Sequence, residues 1–162
     1  MRAPSLRLVS LLGLSAFLAG CGFTPIYGDA GLGSSLSRIA VTTQDDRLGY
    51  RVREQLEDAL GRDGGQAPLW RLDTTLEQSR RPRGRRIDDT APRDELTVQG
   101  RWTLTPVAGG PVRSGVETVT TTYAAADQPF AAITAQQDGE DRAAAELARL
   151  IRLDLMQALS DQ

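Results

Sequence analysis

The chain has 162 residues, with 19 basic side chains against 21 acidic ones and no histidine. Every basic residue is an arginine, and Cys21 is the only cysteine. These absences exclude Ser-His-Asp and Cys-His catalytic groups, Ser-Lys dyads, and zinc sites built from His and Cys. The pairs Asp45-Asp46 and Asp88-Asp89 remain for acid-base chemistry, but adjacent side chains point apart on a regular element. We therefore expect neither an enzyme nor a cofactor nor a metal site, and the acidic net charge argues against a nucleic-acid partner.

The first residues have the layout of a bacterial lipoprotein signal. Arg2 and Arg7 precede an apolar run, Leu8–Leu18, which is too short to remain as a membrane-spanning helix. The run ends in Leu-Ala-Gly-Cys, the pattern of a lipobox, which predicts a signal peptide over residues 1–20 and cleavage before Cys21. The alternatives are an ordinary secretory signal that happens to contain a cysteine, or a buried N-terminal helix.

A cysteine at a new N-terminus predicts a lipid attachment site. Diacylglyceryl and palmitate chains on Cys21 would contribute about 0.8 kcal/mol per buried methylene, so several chains together give permanent anchoring. Similarity to bacterial lipoproteins implies that Gly22, in place of an Asp, permits transfer to the outer membrane. Residues 21–37 are rich in Gly, Ser and Pro and predict a flexible linker. The remaining residues, 38–162, suit one soluble domain.

The predicted domain begins with a strand and an amphipathic helix. A short β-branched run around Ile39 predicts the strand. Asp45 or Asp46 then caps a helix that reaches Leu60, and Gly61 is its stop signal. One side of this helix is apolar and consists of Leu48, Val52, Leu56, Ala59 and Leu60.

Three strands with period-two alternation follow. The first is Trp70–Glu77, and the second is Leu96–Thr105, in which Gly100 marks either a bulge or a close approach. An Ala-Gly-Gly-Pro turn leads into a threonine-rich strand, Val112–Tyr123. The apolar residues of this last strand change parity, and a bulge near Glu117 is one explanation.

A long helix closes the chain. Asp127 and Pro129 predict its cap and first turn, and it ends near Leu159. Gly139 is a weak point, so the helix either continues or begins afresh at Glu140. Its predicted apolar stripe contains Phe130, Ile133, Ala144, Leu147, Ile151, Leu155 and Ala158. Leu153 and Met156 widen that stripe, which favours wide burial on the sheet over contact with another protein.

The order β-α-β-β-β-α predicts an α+β two-layer sandwich, with two helices on one face of a small four-stranded sheet. In the strand patterns, the second face carries Thr, Gln, Arg and Ser. That face suits water or a polar lumen equally well.

The segment Leu18–Gly28, with the sequence LAGCGFTPIYG, resembles the start of the lipopolysaccharide-assembly lipoproteins (LptE, also called RlpB), especially alphaproteobacterial ones. The segments Ile39–Leu60 and Tyr123–Leu159 are similar to that family too. The resemblance implies two helices against a four-stranded sheet, in agreement with the predicted order. It also implies a non-enzymatic plug inside an LptD-like outer-membrane β-barrel, held on the periplasmic side by its lipid. Such a protein assists the assembly of lipopolysaccharide (LPS) at the cell surface.

One segment differs from the rest of the chain in its strong positive charge. Arg80–Arg93 carries six arginines against Asp88 and Asp89, a local charge of +4. Arginine forks match phosphate and carboxylate oxygens, and LPS displays both groups. The candidate LPS ligands are Arg80, Arg81, Arg83, Arg85 and Arg86. The segment equally suits a solvated loop, and docking onto acidic groups of the barrel is a third alternative.

Two other functions compete with the barrel plug. One is a periplasm-facing lipoprotein that binds or carries a lipid or glycan without a permanent barrel, which would need an apolar pocket. The other is a cell-wall enzyme that uses carboxylates, for which the sequence offers only adjacent Asp pairs.

Overall fold

The computed structural model describes residues 30–83, 93–126 and 128–160. Its helices are α1 (Ala30–Leu36), α2 (Arg47–Ala59) and α3 (Pro129–Ser160). Its strands are β1 (Ile39–Thr42), β2 (Trp70–Arg83), β3 (Arg93–Pro106) and β4 (Arg113–Ala124). The predicted α+β sandwich and the order β-α-β-β-β-α are confirmed, with α1 as an additional short helix before β1. No helix in these ranges is long and apolar enough to cross a bilayer.

Helix α1 lies in the segment predicted as a linker. Residues 30–36 of the predicted linker 21–37 are helical, Leu36 is buried in the core, and Leu32 packs against it. The Gly- and Ser-rich sequence gives little helix propensity, so burial of the two leucines holds this helix. The predicted signal peptide, Cys21 and the linker up to residue 29 lie outside the described residues.

The sheet has the strand order β1-β2-β3-β4. β1 pairs with β2 in parallel, from Ile39 opposite Trp70 to Thr42 opposite Asp73. The pairs β2–β3 and β3–β4 are antiparallel and run without interruption in register. Because β1 has only four residues, β2 is an edge strand over most of its length.

Strand β2 continues well past its predicted end at Glu77 and includes Pro82. The backbone N–H of Leu76 points to the β1 side, where it donates to Gln44 Oε1 at 2.7 Å. Pro82 has the same parity as Leu76, so its missing N–H falls on the edge that β1 leaves unpaired. Proline is tolerated in a strand at such an edge, and the pairing with β3 is unaffected.

One face of the sheet, the inner face, packs against the helices. Alternate residues of each strand are buried there, as period-two alternation requires. Gly100 is a point of close approach, because a Cβ at this position would lie 3.0 Å from Leu147 Cδ2. The inner face contributes Ile39, Val41, Leu72, Leu76, Leu96, Val98, Trp102, Leu104, Val119 and Tyr123 to the core.

The bulge predicted near Glu117 is wrong. Pairing between β3 and β4 is unbroken from Arg93 opposite Ala124 to Leu104 opposite Arg113. The change of parity in the sequence arises because Val116 is on the solvent-facing side of the sheet and is half exposed. A valine on the outer face needs no compensation, since single exposed apolar residues are normal on protein surfaces.

Helix α2 is capped by Asp46, one of the two predicted candidates. Its Oδ1 accepts a hydrogen bond of 2.7 Å from the Gly49 N–H. The helix ends at Ala59, and Gly61 follows with a φ of +62°, a left-handed conformation that favours glycine.

Helix α3 is continuous through Gly139, so the predicted alternative of a new start at Glu140 does not occur. Glycine is needed there because a Cβ would lie 2.9 Å from Tyr123 Cδ1. The predicted buried stripe is wrong at its first two members: Phe130 is 87% exposed and Ile133 is 55% exposed. The fully buried residues of α3 begin at Gly139 and Glu140, after a partly buried Ala135 that packs against the core.

Candidate functional site

The predicted arginine cluster lies at the end of the sheet where β2 finishes and β3 begins, which we call the hairpin end. Arg80, Arg81 and Arg83 belong to β2, whereas Arg85 and Arg86 lie outside the described residues. Because side chains alternate along a strand, Arg80 faces the helices while Arg81 and Arg83 are on the outer face. The predicted cluster is therefore divided between the two faces of the sheet.

Arg80 is committed to a buried carboxylate. Its Nη2 donates to Glu140 Oε1 at 2.9 Å, and the Glu140 side chain is only 5% exposed. Glu140 Oε2 accepts from Arg47 Nε at 3.2 Å, and Gln136 Nε2 donates to Oε1 at 2.8 Å. A carboxylate at this depth needs such partners, since an unpaired buried charge is costly. Arg80 thus joins β2 to α3 through one of its guanidinium nitrogens, while its side chain stays 40% exposed.

The same network continues to the surface through Asp141. Arg51 Nε lies 3.0 Å from Asp141 Oδ1, and Arg47 Nη2 lies 3.4 Å from the same oxygen. The hydrogen bond that Arg51 donates to Glu54, followed by the charge of Asp141, raises the pKa of the Arg51 guanidinium. The network holds the start of α2, the middle of α3 and the end of β2 together beneath the hairpin end.

The sequence analysis did not single out Glu140. The sequence nevertheless indicates that Glu140 is buried. It lies at helical spacing with the apolar residues Ala144, Leu147 and Ile151. It is therefore a lone carboxylate on an apolar stripe. A charge in that position requires a partner from another element. Arg47 and Arg80 supply it from distant parts of the chain.

On the outer face at the hairpin end, the arginines differ in their pairing. Arg83 forms an ion pair with Glu95 on β3, and its Nε donates to Glu95 Oε2 at 2.8 Å. Arg81 is exposed and takes part in none of the ion pairs found among the described residues. Arg81 is therefore the described member of the cluster whose guanidinium is best placed to meet an external anion.

The rest of the outer face is polar and is covered by no described element. Hydroxyl, amide and guanidinium groups pair across it: Thr97 Oγ1 with Thr120 Oγ1 at 3.3 Å, and Gln99 Nε2 with Thr118 Oγ1 at 3.4 Å. Arg101 donates to Gln99 at 2.9 Å on the same surface. The residues that define this outer face are Arg71, Asp73, Thr75, Glu77, Ser79, Arg81, Arg83, Arg93, Glu95, Thr97, Gln99, Arg101, Thr103, Thr105, Ser114, Val116, Thr118, Thr120, Thr122 and Ala124.

A second titratable group lies on the inner face. Burial raises the pKa of Glu117 on β4, and the hydrogen bond and negative charge of Asp154 on α3 raise it further. The Trp102 indole N–H donates to Asp154 Oδ2 at 3.3 Å. Trp102 and Asp154 border a shallow groove that also includes Arg113, Ser114, Gly115, Gln157 and Ala158.

Comparisons with known proteins agree with this architecture. The family model for lipopolysaccharide assembly, LptE, matches residues 36–155. A crystal structure of a Caulobacter crescentus protein assigned as a lipoprotein is 42% identical, with a TM-score of 0.68, and the match covers 82% of this chain and 97% of that one.

Two further crystal structures resemble the chain at much lower sequence identity. A minor lipoprotein from Acinetobacter baumannii is 11% identical with a TM-score of 0.50, and the match covers 74% of this chain and 94% of that one. At this identity the match shows a similar fold and nothing more. The rare lipoprotein B of Shewanella oneidensis is 14% identical, with a TM-score of 0.47 over 76% of this chain and 93% of that one. The comparison with curated proteins gave no match. On the family match and the 42% identity, the chain belongs to LptE, the non-enzymatic lipoprotein family of lipopolysaccharide assembly.

Proposed function

We propose that this protein is an outer-membrane lipoprotein that sits as a plug and scaffold inside an LptD-like β-barrel. Family membership assigns it a role in lipopolysaccharide assembly. The plug itself is supported by one observation above all, the polar face of the sheet, which no described element covers. Barrel lumens are polar, so a surface of Thr, Gln and Arg side chains can dock there without burying unpaired apolar groups.

Anchoring depends on Cys21. The signal peptide over residues 1–20 is removed, and acyl chains on the cysteine hold the body at the periplasmic surface of the outer membrane. Attachment by lipid leaves the polar body outside the bilayer, which suits a chain that enters a barrel from the periplasm.

Direct contact with LPS is the second part of the proposal. Arg81 and Arg83, with Arg85 and Arg86 beyond the end of β2, present guanidinium groups to the phosphate and carboxylate groups of LPS. Arg80 has a different role in this proposal: through Glu140 it fixes the strand that carries the others. The five candidate arginines therefore divide into one positioning residue and four candidate ligands.

The alternative function, a lipid or glycan carrier, needs an apolar pocket. The groove beside Trp102 is bordered largely by polar groups, and a second groove is lined by Glu57, Asp58, Gly61, Arg62 and Gly64. Neither groove favours a carrier over a plug.

The plug is tested by purifying the acylated, tagged protein from detergent-extracted outer membranes. We expect a large β-barrel in near-equal amount, because the polar face is buried in its lumen. Cys21→Ala should release the body to the periplasm unless the barrel alone retains it. Recovery of the acylated protein as a lone monomer would contradict the plug and favour the carrier.

LPS contact is tested separately with the purified protein and purified LPS. Arg81→Ser combined with Arg83→Ser should weaken LPS binding about tenfold if two charge-assisted contacts are lost. Arg101→Ser is the matched control, since it removes one exposed outer-face arginine away from the hairpin end. Unchanged binding in the double variant would remove these two residues from the LPS site while leaving the plug intact.

A further inference from the structure

The two edges of the sheet differ in how well their backbone groups are protected. Beyond the four residues of β1, one edge is β2, and the other edge is β4 over its whole length. A free edge exposes N–H and C=O groups that pair readily with another chain, so natural proteins usually block such edges. The edge at β2 is blocked, whereas the edge at β4 is open.

Two residues block the edge at β2. Where β1 ends, Gln44 Oε1 accepts the N–H of Leu76 at 2.7 Å. Further along the strand, Pro82 has no N–H to offer on that side. Between these points, only Gln78 and Arg80 direct backbone N–H groups outwards. A strand added at this edge would therefore find few donors.

The register shows which backbone groups of β4 point outwards. The Val107 N–H donates to the Leu69 carbonyl at 2.9 Å, so the odd-numbered residues of β3 bond to β2. The even-numbered residues of β3 therefore bond to β4, where their partners are odd-numbered. The N–H and C=O groups of the even-numbered residues of β4 consequently point away from β3. Those between positions 114 and 122, all exposed, are Ser114, Val116, Thr118, Thr120 and Thr122.

A contact from α3 agrees with this direction. Arg142 Nη2 donates to the Thr122 carbonyl at 3.2 Å and caps the outward groups at that end of β4. The outward groups from Ser114 to Thr120 have no backbone partner among the described residues. We call this segment, residues 114–120, the β4 edge.

Little along the β4 edge prevents pairing with another strand. The whole of β4 is described, it contains no proline, and its pairing with β3 is unbroken. The charged residue within the segment, Glu117, points to the inner face, where it already bonds to Asp154 of α3. The outer-face side chains beside the edge are uncharged Ser, Val and Thr. Such an edge binds an extended peptide, since its N–H and C=O groups recur at the spacing of a strand.

The position of the β4 edge favours one source for that peptide. Its residues also carry part of the outer face, so the edge and that face form one continuous surface. The proposed function places this surface inside a barrel lumen. Wall strands of a closed barrel are paired on both sides and have no edge to offer. The occupant is therefore an extended segment of the barrel protein that folds into the lumen, as loops of outer-membrane barrels do.

We propose that the β4 edge receives a fifth strand from such a lumen segment of the β-barrel partner. This inference rests on the proposed function and adds how the plug is held: by backbone hydrogen bonds along one edge, together with the side chains of the outer face. Because backbone atoms form this contact, it tolerates variation in the sequence of the added strand. The blocked edge at β2 limits strand addition to one side of the sheet.

The first test removes an outward N–H from the middle of the β4 edge. Thr118→Pro leaves the pairing with β3 intact, as Pro82 does at the opposite edge. Thr118→Ala loses the same side chain but keeps the N–H. The acylated, tagged variants are purified from detergent-extracted outer membranes. We expect Thr118→Pro to recover about tenfold less barrel than Thr118→Ala, because the added strand keeps an unsatisfied backbone carbonyl.

Gln78→Pro is the matched control, since it removes an outward N–H from the edge at β2, and its barrel recovery should equal that of the parent protein. Equal recovery by folded Thr118→Pro and Thr118→Ala would overturn the proposal and leave the plug intact. Absence of the barrel with the parent protein would instead contradict the proposed function, and this inference with it.

Amide hydrogen exchange is the second test and needs no substitution. In the acylated protein alone, the N–H groups of Val116, Thr118 and Thr120 should exchange rapidly. In the purified complex with the barrel they should exchange about 100-fold more slowly, since each donates to the added strand. The Gln78 N–H should exchange at the same rate in both samples, and the Val119 N–H should be slow in both because it faces β3.

Unchanged exchange at the outward groups of the β4 edge in the complex would overturn the proposal, even if Thr118→Pro failed to fold. A dimer of the protein without the barrel, in which these groups are already protected, would also overturn it, because a second copy would then occupy the edge.

Discussion

Arg80 and Arg81 are neighbours in β2, yet they belong to two regions with different chemistry. Arg80 points to the inner face, where it neutralises the buried Glu140. Arg81 points to the outer face, among threonines and paired polar groups. Both faces consist of the same three long strands. The difference shows that parity along a strand, more than residue type, decides whether an arginine supports the fold or is available to a partner.

The largest difference between the faces is expected for apolar truncation. Leu96 on the inner face is fully buried, so Leu96→Ala should lower the free energy of unfolding by about 2–5 kcal/mol. Val116→Ala on the outer face should change it by less than about 0.5 kcal/mol, since that side chain is half exposed. Urea unfolding followed by circular dichroism measures both. Similar losses for the two variants would mean that the outer face is covered in the isolated protein.

The next largest difference in unfolding free energy is expected between substitutions of Arg80 and Arg81. Arg80→Ser removes one donor from buried Glu140, which keeps Arg47 and Gln136, so we expect a loss of about 1–2 kcal/mol in unfolding free energy. Arg81→Ser should stay within about 0.5 kcal/mol of the parent protein. The same unfolding measurement compares them. A loss for Arg81→Ser as large as that for Arg80→Ser would contradict the division of the cluster between faces.

The smallest effect concerns pH. Because burial and Asp154 raise the pKa of Glu117 in the folded protein, the folded state binds a proton more tightly there than the unfolded state does. The stabilising contribution is full below the unfolded pKa, near 4.5, and is lost as pH rises through the folded pKa. The parent protein should lose melting temperature as the pH rises above the unfolded pKa, and Glu117→Gln should make that loss smaller. Parallel profiles for parent and Glu117→Gln would be inconsistent with a raised pKa of Glu117 in the folded protein.

The strand alternation and the helical stripes were sufficient to predict the sandwich, because both patterns depend on local periodicity. Periodicity failed where distant pairing decides the structure. Arg80, Arg81 and Pro82 have the composition of a loop, but pairing with β3 keeps them in β2, and the short β1 leaves an edge that tolerates the proline. The partners of Glu140 likewise could not be predicted from the sequence, since Arg47 and Arg80 are far from it along the chain.

Two further differences have the same origin. Helix α1 has weak propensity and depends on burial of Leu32 and Leu36 in a core built by later elements. Phe130 and Ile133 continue the helical stripe of α3 in sequence, but both are exposed, and contact of α3 with the core is first seen at Ala135. Periodicity reveals which residues share a face and does not reveal how far the opposing layer extends.

The account depends most on the outer face of the sheet being the surface that docks in a barrel lumen. Its most direct test is a photo-crosslinking residue at Thr118, in the middle of that face, in the acylated protein within native outer membranes. We expect one large product that contains a β-barrel protein, because the threonine surface contacts the lumen wall. Absence of any protein cross-link from Thr118, while the chain is acylated and located in the outer membrane, would contradict the central claim.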